Sequence, residues 1–443
     1  MRTIVIQQFR RMLTLMAVVL LFGVSQALGA IQGVTGTTFN LTAKADYISM
    51  PDGAYIYMWG YALNNSTMQY PGPTLIVNQG DTVTVTLNNT LSVPVSIVFP
   101  GQGTVTATGG AAGLITQEAL PGSSVTYTFK AEKPGTYIYY SGTQPDLQIE
   151  MGLVGAIIVR PTGYNETTNR IAYNHANSTY DHEYLFLLSE IDPVTHQHVE
   201  QGRMDLVDTS KFWPVYWLYN GRAAPDVMLE ANAPWLPTQP YNCVPMAHPG
   251  ERVLARIVSA GRDMHPFHTH GNHHTVIARD GRLLQSTPVA GADLAYKAFT
   301  SSIPQGGTAD AIFQWVGKTG WDIYGTGPDR EHTCNGIPVT AANPASPGFD
   351  PVTQEYCPDH GKPFPVALPN QQDLTFGQFF SGSPFLGTLG QLPPGQGGFN
   401  PNGGYMFMWH SHSEKELTNN DIFPGGMLTM MIIEAPGVPL MNP

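Results

Sequence analysis

The chain has 443 residues with 33 acidic and 21 basic side chains, a formal net charge of −12, and only 12% charged residues. A typical soluble domain carries about 25% charged residues, so this composition excludes a basic nucleic-acid-binding protein and argues against a charged disordered chain. Hydrophobic residues make up 42% of the sequence, alongside 47 glycines, 37 prolines and 14 histidines. The composition is that of a globular, turn-rich protein that can bury a large core.

The N-terminus has the three parts of a secretory signal peptide. Three arginines lie within the first eleven residues, an apolar run covers 12–24, and small residues follow at 25–30. The apolar run is shorter than the roughly 20 residues that cross a bilayer, which makes an uncleaved anchor the weaker alternative. We therefore predict a signal peptide at 1–30, no stable transmembrane anchor, and a protein exported to a periplasm or beyond.

From Ile31 onward the sequence shows the pattern of short β-strands. Alternating apolar runs such as 82–87 and 252–258 recur between Gly, Pro and Asn residues, which is typical of sandwiches and barrels. The predicted fold is all-β, with two Greek-key β-sandwich or barrel domains at 31–165 and 166–443. The stretch 317–402 is rich in Gly, Pro, Asn and Asp. We interpret it as an insertion in the second domain rather than a third domain, because it contains few apolar runs.

The sequence contains three cysteines. The predicted export places them in a compartment that permits disulfides. Cys334 and Cys357 share the Gly/Pro-rich stretch, so we predict that they pair with each other. Cys243 is left over and is interpreted as a small buried hydrophobic residue.

The histidines are concentrated in two short segments. His268 and His270 form one His-x-His pair, and His410 and His412 form another. Residues two apart in a strand point to the same face, so four imidazoles converge on one spot if the two strands are adjacent. Neutral imidazole suits copper, zinc and iron, which predicts a metal site; the alternative is a polar cluster without metal. Of the adjacent His273 and His274, at most one could join this site, because neighbouring strand residues face opposite ways.

Several motifs around these histidines resemble the multicopper oxidases and their two-domain cupredoxin relatives, the copper nitrite reductases and small laccases. The motifs follow the C-terminal domain of that family in order and spacing, and they are Asn220-Gly221-Arg222, Pro249-Gly250-Glu251-Arg252-Val253, His265-Pro266-Phe267-His268-Thr269-His270-Gly271 and Arg279-Asp280-Gly281. In the first domain, Pro71-Gly72-Pro73-Thr74 and Gly80-Asp81-Thr82-Val83 are similar to the family as well. The resemblance implies two cupredoxin-like domains, copper as the cofactor, and a homotrimer as a possible assembly.

The same resemblance identifies where this sequence departs from the family. Four His-x-His pairs build the trinuclear copper cluster of the family, but the two first-domain positions here contain Val98-Phe99-Pro100 and Tyr140-Ser141-Gly142. Ser411 stands in place of the thiolate of the family's blue copper, and Glu416 in place of its second histidine. His265 matches the remaining histidine of that blue-copper site and is a further candidate ligand. The four imidazoles of the second domain suffice for one copper, or at most an open pair.

The sequence thus predicts an exported copper-binding protein of multicopper-oxidase type. The favoured function is an oxidoreductase that uses O₂ or a peroxide and acts on a small molecule or metal ion. The alternative is a non-catalytic copper-binding or assembly module on the same fold; a zinc site is compatible with the imidazoles but is not what the resemblance implies. The carboxylates Glu414, Glu416 and Asp421 lie close in sequence to the candidate ligands and could move protons or bind a cation, but we interpret them as a solvated loop.

Overall fold

The structure is a computed structural model, and it describes residues 31–248, 250–315, 333–334, 337–338, 405–434 and 439–440. The predicted signal peptide at 1–30, nearly all of the predicted insertion at 317–402, and Cys357 of the predicted disulfide lie outside these residues. Within the described ranges, no helix has the length and apolar character needed to cross a bilayer.

Strands dominate the first part of the described chain, as expected from its alternating sequence. In β5, for example, the odd-numbered Val83, Val85 and Leu87 are fully buried while the threonines between them are more exposed. The strands up to Arg160 are β1 (Val34–Thr35), β2 (Thr38–Ser49), β3 (Tyr55–Leu63), β4 (Leu75–Asn78), β5 (Thr82–Asn89), β6 (Thr106–Gly109), β7 (Ala111–Ala112), β8 (Gln117–Glu118), β9 (Ser124–Lys130), β10 (Gly135–Tyr140) and β11 (Val154–Arg160).

Strands also form the second part of the chain. They are β12 (His182–Ile191), β13 (Tyr216–Tyr219), β14 (Met246–Ala247), β15 (Arg252–Ser259), β16 (His265–Thr269), β17 (His274–Arg279), β18 (Arg282–Leu283), β19 (Tyr296–Ala298), β20 (Thr300–Ile303), β21 (Thr308–Gln314), β22 (Thr333–Cys334), β23 (Ile337–Pro338), β24 (Tyr405–Ser411) and β25 (Leu428–Ile433). The helical elements are short: α1 (Pro145–Gln148), α2 (Pro193–Glu200) and 3-10 turns at Ala176–Ser178, Met204–Leu206, Asp226–Met228 and Glu414–Leu417. The all-β prediction is confirmed.

The larger sheets divide by position along the chain. Strands before residue 161 form one sheet in the order β1-β4-β11-β10 and another in the order β3-β2-β5-β9-β6. Strands after residue 181 form a sheet in the order β13-β12-β15-β21-β17-β18, with β19 beside β17, and a second in the order β14-β25-β24-β16-β20. Among the described strands, no sheet mixes the two groups, a pattern compatible with two sandwiches; the boundary near residue 165 stays a prediction.

Each pair of sheets encloses an apolar core. In the second pair the core includes Phe186, Phe267, Phe313 and Trp409, all of them nearly or fully buried. Phe267 and Trp409 extend inward from β16 and β24, and their rings lie 5.9 Å apart. Neighbouring residues of a strand point to opposite faces of the sheet. The histidines next to Phe267 and Trp409 therefore point away from the core. Cys243 is buried in the same core, as predicted.

Candidate metal centre

The two histidine-bearing strands are hydrogen-bonded neighbours. β16 and β24 run antiparallel, with His268 directly opposite His410 and Thr269 opposite Trp409. Since Thr269 and Trp409 point into the core, the imidazoles at 268, 270, 410 and 412 share the other face of the sheet. The structure therefore brings the two His-x-His pairs together.

The four rings form one cluster. Ring centroids are 4.8 Å apart for His268–His270, 5.1 Å for His268–His410, 5.1 Å for His270–His410 and 4.6 Å for His268–His412. One ring nitrogen from each of His268, His270 and His410 lies within 4.8 Å of the other two. His412 lies at the rim with a side chain that is 49% exposed, so the cluster is closed on the sheet side and accessible at His412.

Hydrogen bonds determine which nitrogens face each other. The Nδ1–H of His410 donates to the backbone carbonyl of Ser411 at 2.6 Å. His268 Nδ1 is hydrogen-bonded to Thr300 Oγ1 at 2.6 Å, and His412 Nδ1 lies 3.3 Å from a carboxylate oxygen of Glu414. These contacts engage Nδ1 in three of the rings and leave their Nε2 atoms for a ligand.

The spacing of the nitrogens fits a metal ion. His270 Nε2 and His410 Nε2 are 3.1 Å apart. Two nitrogens that each bind one ion at about 2.0–2.1 Å, with an angle near 100° between them, are separated by about this distance. The donor set of neutral imidazoles is one that copper, zinc and iron accept.

The electrostatics of the cluster keep the imidazoles of His268 and His410 uncharged. Burial, together with the three neighbouring imidazoles and His274, lowers the pKa of His268 to about 3. Burial also lowers the pKa of His410 to about 4. Both rings are therefore neutral at pH 7 and keep the lone pair that metal binding requires.

His265 is not part of this cluster. It precedes His268 by three residues in β16 and points to the core face, where its side chain is fully buried. Its Nε2 lies 2.8 Å from Glu190 Oε2, and its Nδ1 lies 2.9 Å from Glu416 Oε2. Because both ring nitrogens are engaged by carboxylates, the structure does not bring His265 to the other four candidate ligands and leaves it no free lone pair.

The same contacts correct the interpretation of Glu416 as part of a solvated loop. Its exposure is only 6%, and it faces His265 from the 3-10 turn Glu414–Leu417. The family resemblance implies a copper-binding histidine at this position and a thiolate at Ser411, which is fully buried. A carboxylate, a hydroxyl and a doubly hydrogen-bonded imidazole do not form a blue-copper ligand set.

The buried charge at His265 leads to a prediction for protein stability. Burial by itself would lower the pKa of His265, but hydrogen bonds to Glu190 and Glu416 raise it to about 10. A group whose pKa is raised by folding stabilises the native state fully when the pH is below its unfolded pKa of 6.5. That stabilisation decreases as the pH rises from 6.5 towards 10. We expect the difference in unfolding free energy between wild type and His265→Gln to shrink above pH 6.5, by up to about 1.4 kcal/mol per pH unit. Denaturant unfolding at pH 6 to 10 measures this difference, and a pH-independent gap would contradict the assignment.

The corresponding segments of the first domain are also adjacent. Val98 and Tyr140 form a β-bridge in which the Val98 N–H donates to the Tyr140 carbonyl at 2.8 Å. Ser141 is buried, and its hydroxyl donates to Gln148 Oε1 at 2.6 Å. These two segments, where the family resemblance implies metal ligands, are thus paired but contain no imidazole, since no histidine precedes His175 in the sequence.

Of the two remaining candidates in this region, His274 is engaged elsewhere. Its Nδ1 lies 3.0 Å from Thr269 Oγ1 and its Nε2 lies 2.8 Å from Ser301 Oγ. His273 is half-buried beside Phe299, with ring centroids 6.1 Å apart. Among the described residues, neither joins the group of ring nitrogens within 4.8 Å of one another that His268, His270 and His410 form.

Sequence analysis did not identify two neighbours of the cluster. Thr300 holds His268 because β20 pairs with β16 and places the two residues opposite each other, and no sequence signal indicates this pairing. Met408 lies on the histidine face of β24, and here a signal exists: the order Met-x-Met-x-His-x-His from Met406 to His412 has the same period of two.

Comparisons with known proteins find similarity to multicopper oxidases and related proteins. Residues 51–163 match the family model described as "Multicopper oxidase". A 305-residue segment is 26% identical to a "Probable nitrite reductase-hydroxylamine oxidoreductase fusion protein" of Kuenenia stuttgartiensis, covering 67% of this chain and 30% of that protein. A 172-residue segment is 34% identical to an L-ascorbate oxidase of Cucumis sativus, covering 37% of this chain and 26% of that protein. The matches span less than a third of the length of these two relatives.

A solved structure extends the likeness in fold to most of the chain. A blue copper oxidase from Nitrosomonas europaea superposes on 89% of this chain and 85% of its own with a TM-score of 0.53 and 18% sequence identity. At this level of identity the likeness concerns the fold, which is the cupredoxin-like all-β fold that the sequence motifs imply.

Proposed function

We propose that this chain, whose residues 51–163 match the multicopper oxidase family model, is a copper-dependent oxidoreductase with its metal held by His268, His270, His410 and His412. The observation that supports the proposal most directly is the mutual approach of three imidazole nitrogens to within 4.8 Å on one sheet face. Copper bound there supplies one-electron exchange with O₂, a peroxide or a reduced substrate.

The residues of the chain have separable roles in this proposal. Ser411, through its carbonyl, and Thr300 hold the imidazoles of His410 and His268 in orientation by engaging their Nδ1 atoms. Such hydrogen bonds fix the tautomer and the ring plane of a metal ligand. His412 forms the accessible rim, where Glu414 can accept or return a proton at a distance of 3.3 Å. Substrate and oxidant therefore approach from the side of His412.

The proposed enzyme works with this one centre. Among the described residues, His265, Ser411 and Glu416 do not offer a blue-copper ligand set, so the proposal includes no blue copper that relays electrons from a surface donor to the imidazole cluster. We infer that a small molecule or a metal ion is oxidised directly at the cluster. Four-electron reduction of O₂ in the manner of a laccase is not expected with half of the family's trinuclear ligands.

Metal analysis combined with electron paramagnetic resonance and visible spectroscopy tests the proposal. We expect one to two coppers per chain, turnover of a phenol, Fe(II), Mn(II) or Cu(I), and no intense thiolate-to-copper absorption, because none of the four proposed ligands is a thiolate. A blue protein would contradict the ligand assignment, and a native preparation containing zinc instead of copper would contradict the metal. A copper-loaded protein that oxidises none of these substrates would favour the alternative of a copper-binding or assembly module.

Location and assembly complete the proposal. The signal-like sequence at 1–30 supports export to a periplasm or beyond, and mass spectrometry of the mature N-terminus tests it. The family resemblance supports a homotrimer, and light scattering of the purified protein tests the oligomeric state. An uncleaved N-terminus or a monomer would contradict the respective part.

A further inference from the structure

Two methionines share the sheet face that carries the imidazole cluster. Met408 precedes His410 by two residues in β24, so the two side chains leave the strand on the same side. Phe407 and Trp409 leave the strand on the other side, and Met408 itself is buried, with 6% exposure, in the same cluster of apolar side chains. Met408 is therefore oriented with the histidines of its strand.

Strand register places Met408 between a histidine and the second methionine. The N–H of His270 donates to the Met408 carbonyl at 3.1 Å, which continues the pairing of His268 with His410 by one further step. On the other side of β24, Met408 is directly opposite Met430 of β25. Directly opposite residues of antiparallel strands have Cβ atoms about 4.5–5.5 Å apart. A row His270–Met408–Met430 thus runs beside the row His268–His410–Leu428.

The chemistry of the two rows differs at equivalent positions. Leu428 occupies the position opposite His410 and is 5% exposed, and Met430 occupies the position opposite Met408 and is half-buried. A leucine therefore fits this face of β25, and packing alone does not require a thioether. Thioether sulfur is a soft, polarizable donor that selects Cu(I), while imidazole accepts both oxidation states of copper.

We propose that Met408, supported by Met430, extends the copper site with thioether sulfur, so that the site binds copper preferentially as Cu(I). This inference rests on the proposed function, because it requires that copper binds at the four histidines. The proposed site binds a soft monovalent cation through imidazole and thioether donors. The pairing of thioether with imidazole stabilises the reduced metal relative to Cu(II).

Three leucine variants test the assignment with a matched control. Met408→Leu and Met430→Leu remove sulfur from the histidine face at nearly constant volume, and Met431→Leu removes it from the fully buried opposite face of β25. Anaerobic competition with a chromophoric Cu(I) chelator measures Cu(I) affinity, and a separate titration measures Cu(II) affinity. We expect Met408→Leu to weaken Cu(I) binding about tenfold or more, equivalent to about 1.4 kcal/mol, with a smaller loss for Met430→Leu. Cu(II) binding by all three variants and Cu(I) binding by Met431→Leu stay as in wild type.

X-ray absorption on the Cu(I)-loaded wild-type protein provides a readout that does not depend on any variant. Sulfur in the first coordination shell supports the inference; a shell of nitrogen and oxygen alone overturns it, as does unchanged Cu(I) affinity in Met408→Leu. In both of these cases copper bound by the histidines leaves the proposed function standing. A wild-type protein that binds neither Cu(I) nor Cu(II) instead overturns the proposed function itself.

Discussion

The double variant His268→Ala/His410→Ala is expected to lose copper binding by at least about a hundredfold, the upper range for damage to the surroundings of a metal ligand. These two residues lie directly opposite each other in β16 and β24 and contribute one nitrogen each to the group within 4.8 Å. Removing both leaves His270 and the exposed His412 on separate strands, and two ligands do not define a site of the geometry proposed here. Metal content after equilibrium dialysis measures the loss.

A matched double variant shows whether copper binding depends on the cluster or only on the total number of histidines. His175→Ala/His198→Ala also removes two histidines, both half-buried, but from a turn and a helix outside the cluster. We expect it to bind copper as wild type does. Equal copper content in wild type and His268→Ala/His410→Ala would contradict the ligand assignment, and equal losses in both double variants would indicate surface binding.

The period of two in a strand explains why the cluster was predictable from sequence. His268, His270, His410 and His412 each follow that period, and the family resemblance placed the two strands side by side. The alternation also predicted the buried and exposed positions of strands such as β5. Local patterns of this kind depend only on residues that are close together in the sequence.

Contacts that depend on strand pairing were not predictable in the same way. Glu190 contacts His265 although the two residues are 75 positions apart in the sequence, and Glu416 contacts it from 151 positions away. A charged residue in a loop-like sequence is normally solvated, so the local pattern around Glu416 indicated exposure. Only the three-dimensional arrangement shows that an imidazole and two carboxylates hold one another in the core. Thr300 and Met430 were missed for the same reason.

A buried ion network links the two groups of strands and has the largest expected effect on stability. Arg160, in β11, donates from Nη1 to Glu183 Oε2 at 2.8 Å and forms a second contact with Oε1. Arg256 donates from Nε to Glu183 Oε2 at 2.8 Å, and its Nη1 lies 3.8 Å from Asp310. Glu183 thus pairs with two guanidinium groups, one from each part of the chain.

Glu183→Gln is expected to lower the unfolding free energy by about 3–5 kcal/mol, the usual cost of leaving a buried charge without its partner. The variant keeps the shape of the side chain but removes the carboxylate that pairs with Arg160 and leaves Arg256 only that of Asp310; the side chains of Arg160, Arg256 and Asp310 are 7%, 0% and 1% exposed. Asp208→Asn is the control, because its partner Lys211 is 83% exposed, and a surface pair contributes at most about 1 kcal/mol. Denaturant unfolding of both variants measures the difference.

The pH dependence of this effect distinguishes lost charge from lost packing. Burial by itself would raise the pKa of Glu183, but Arg160 and Arg256 lower it to about 2. A pKa lowered by folding stabilises the native state fully above the unfolded value of 4.5, and that contribution is lost as pH falls from 4.5 towards 2. The stability gap between wild type and Glu183→Gln is therefore expected to be constant from pH 5 to 7 and to shrink in acid. A gap that persists unchanged at pH 2.5 would mean that the carboxylate contributes by its shape rather than by its charge.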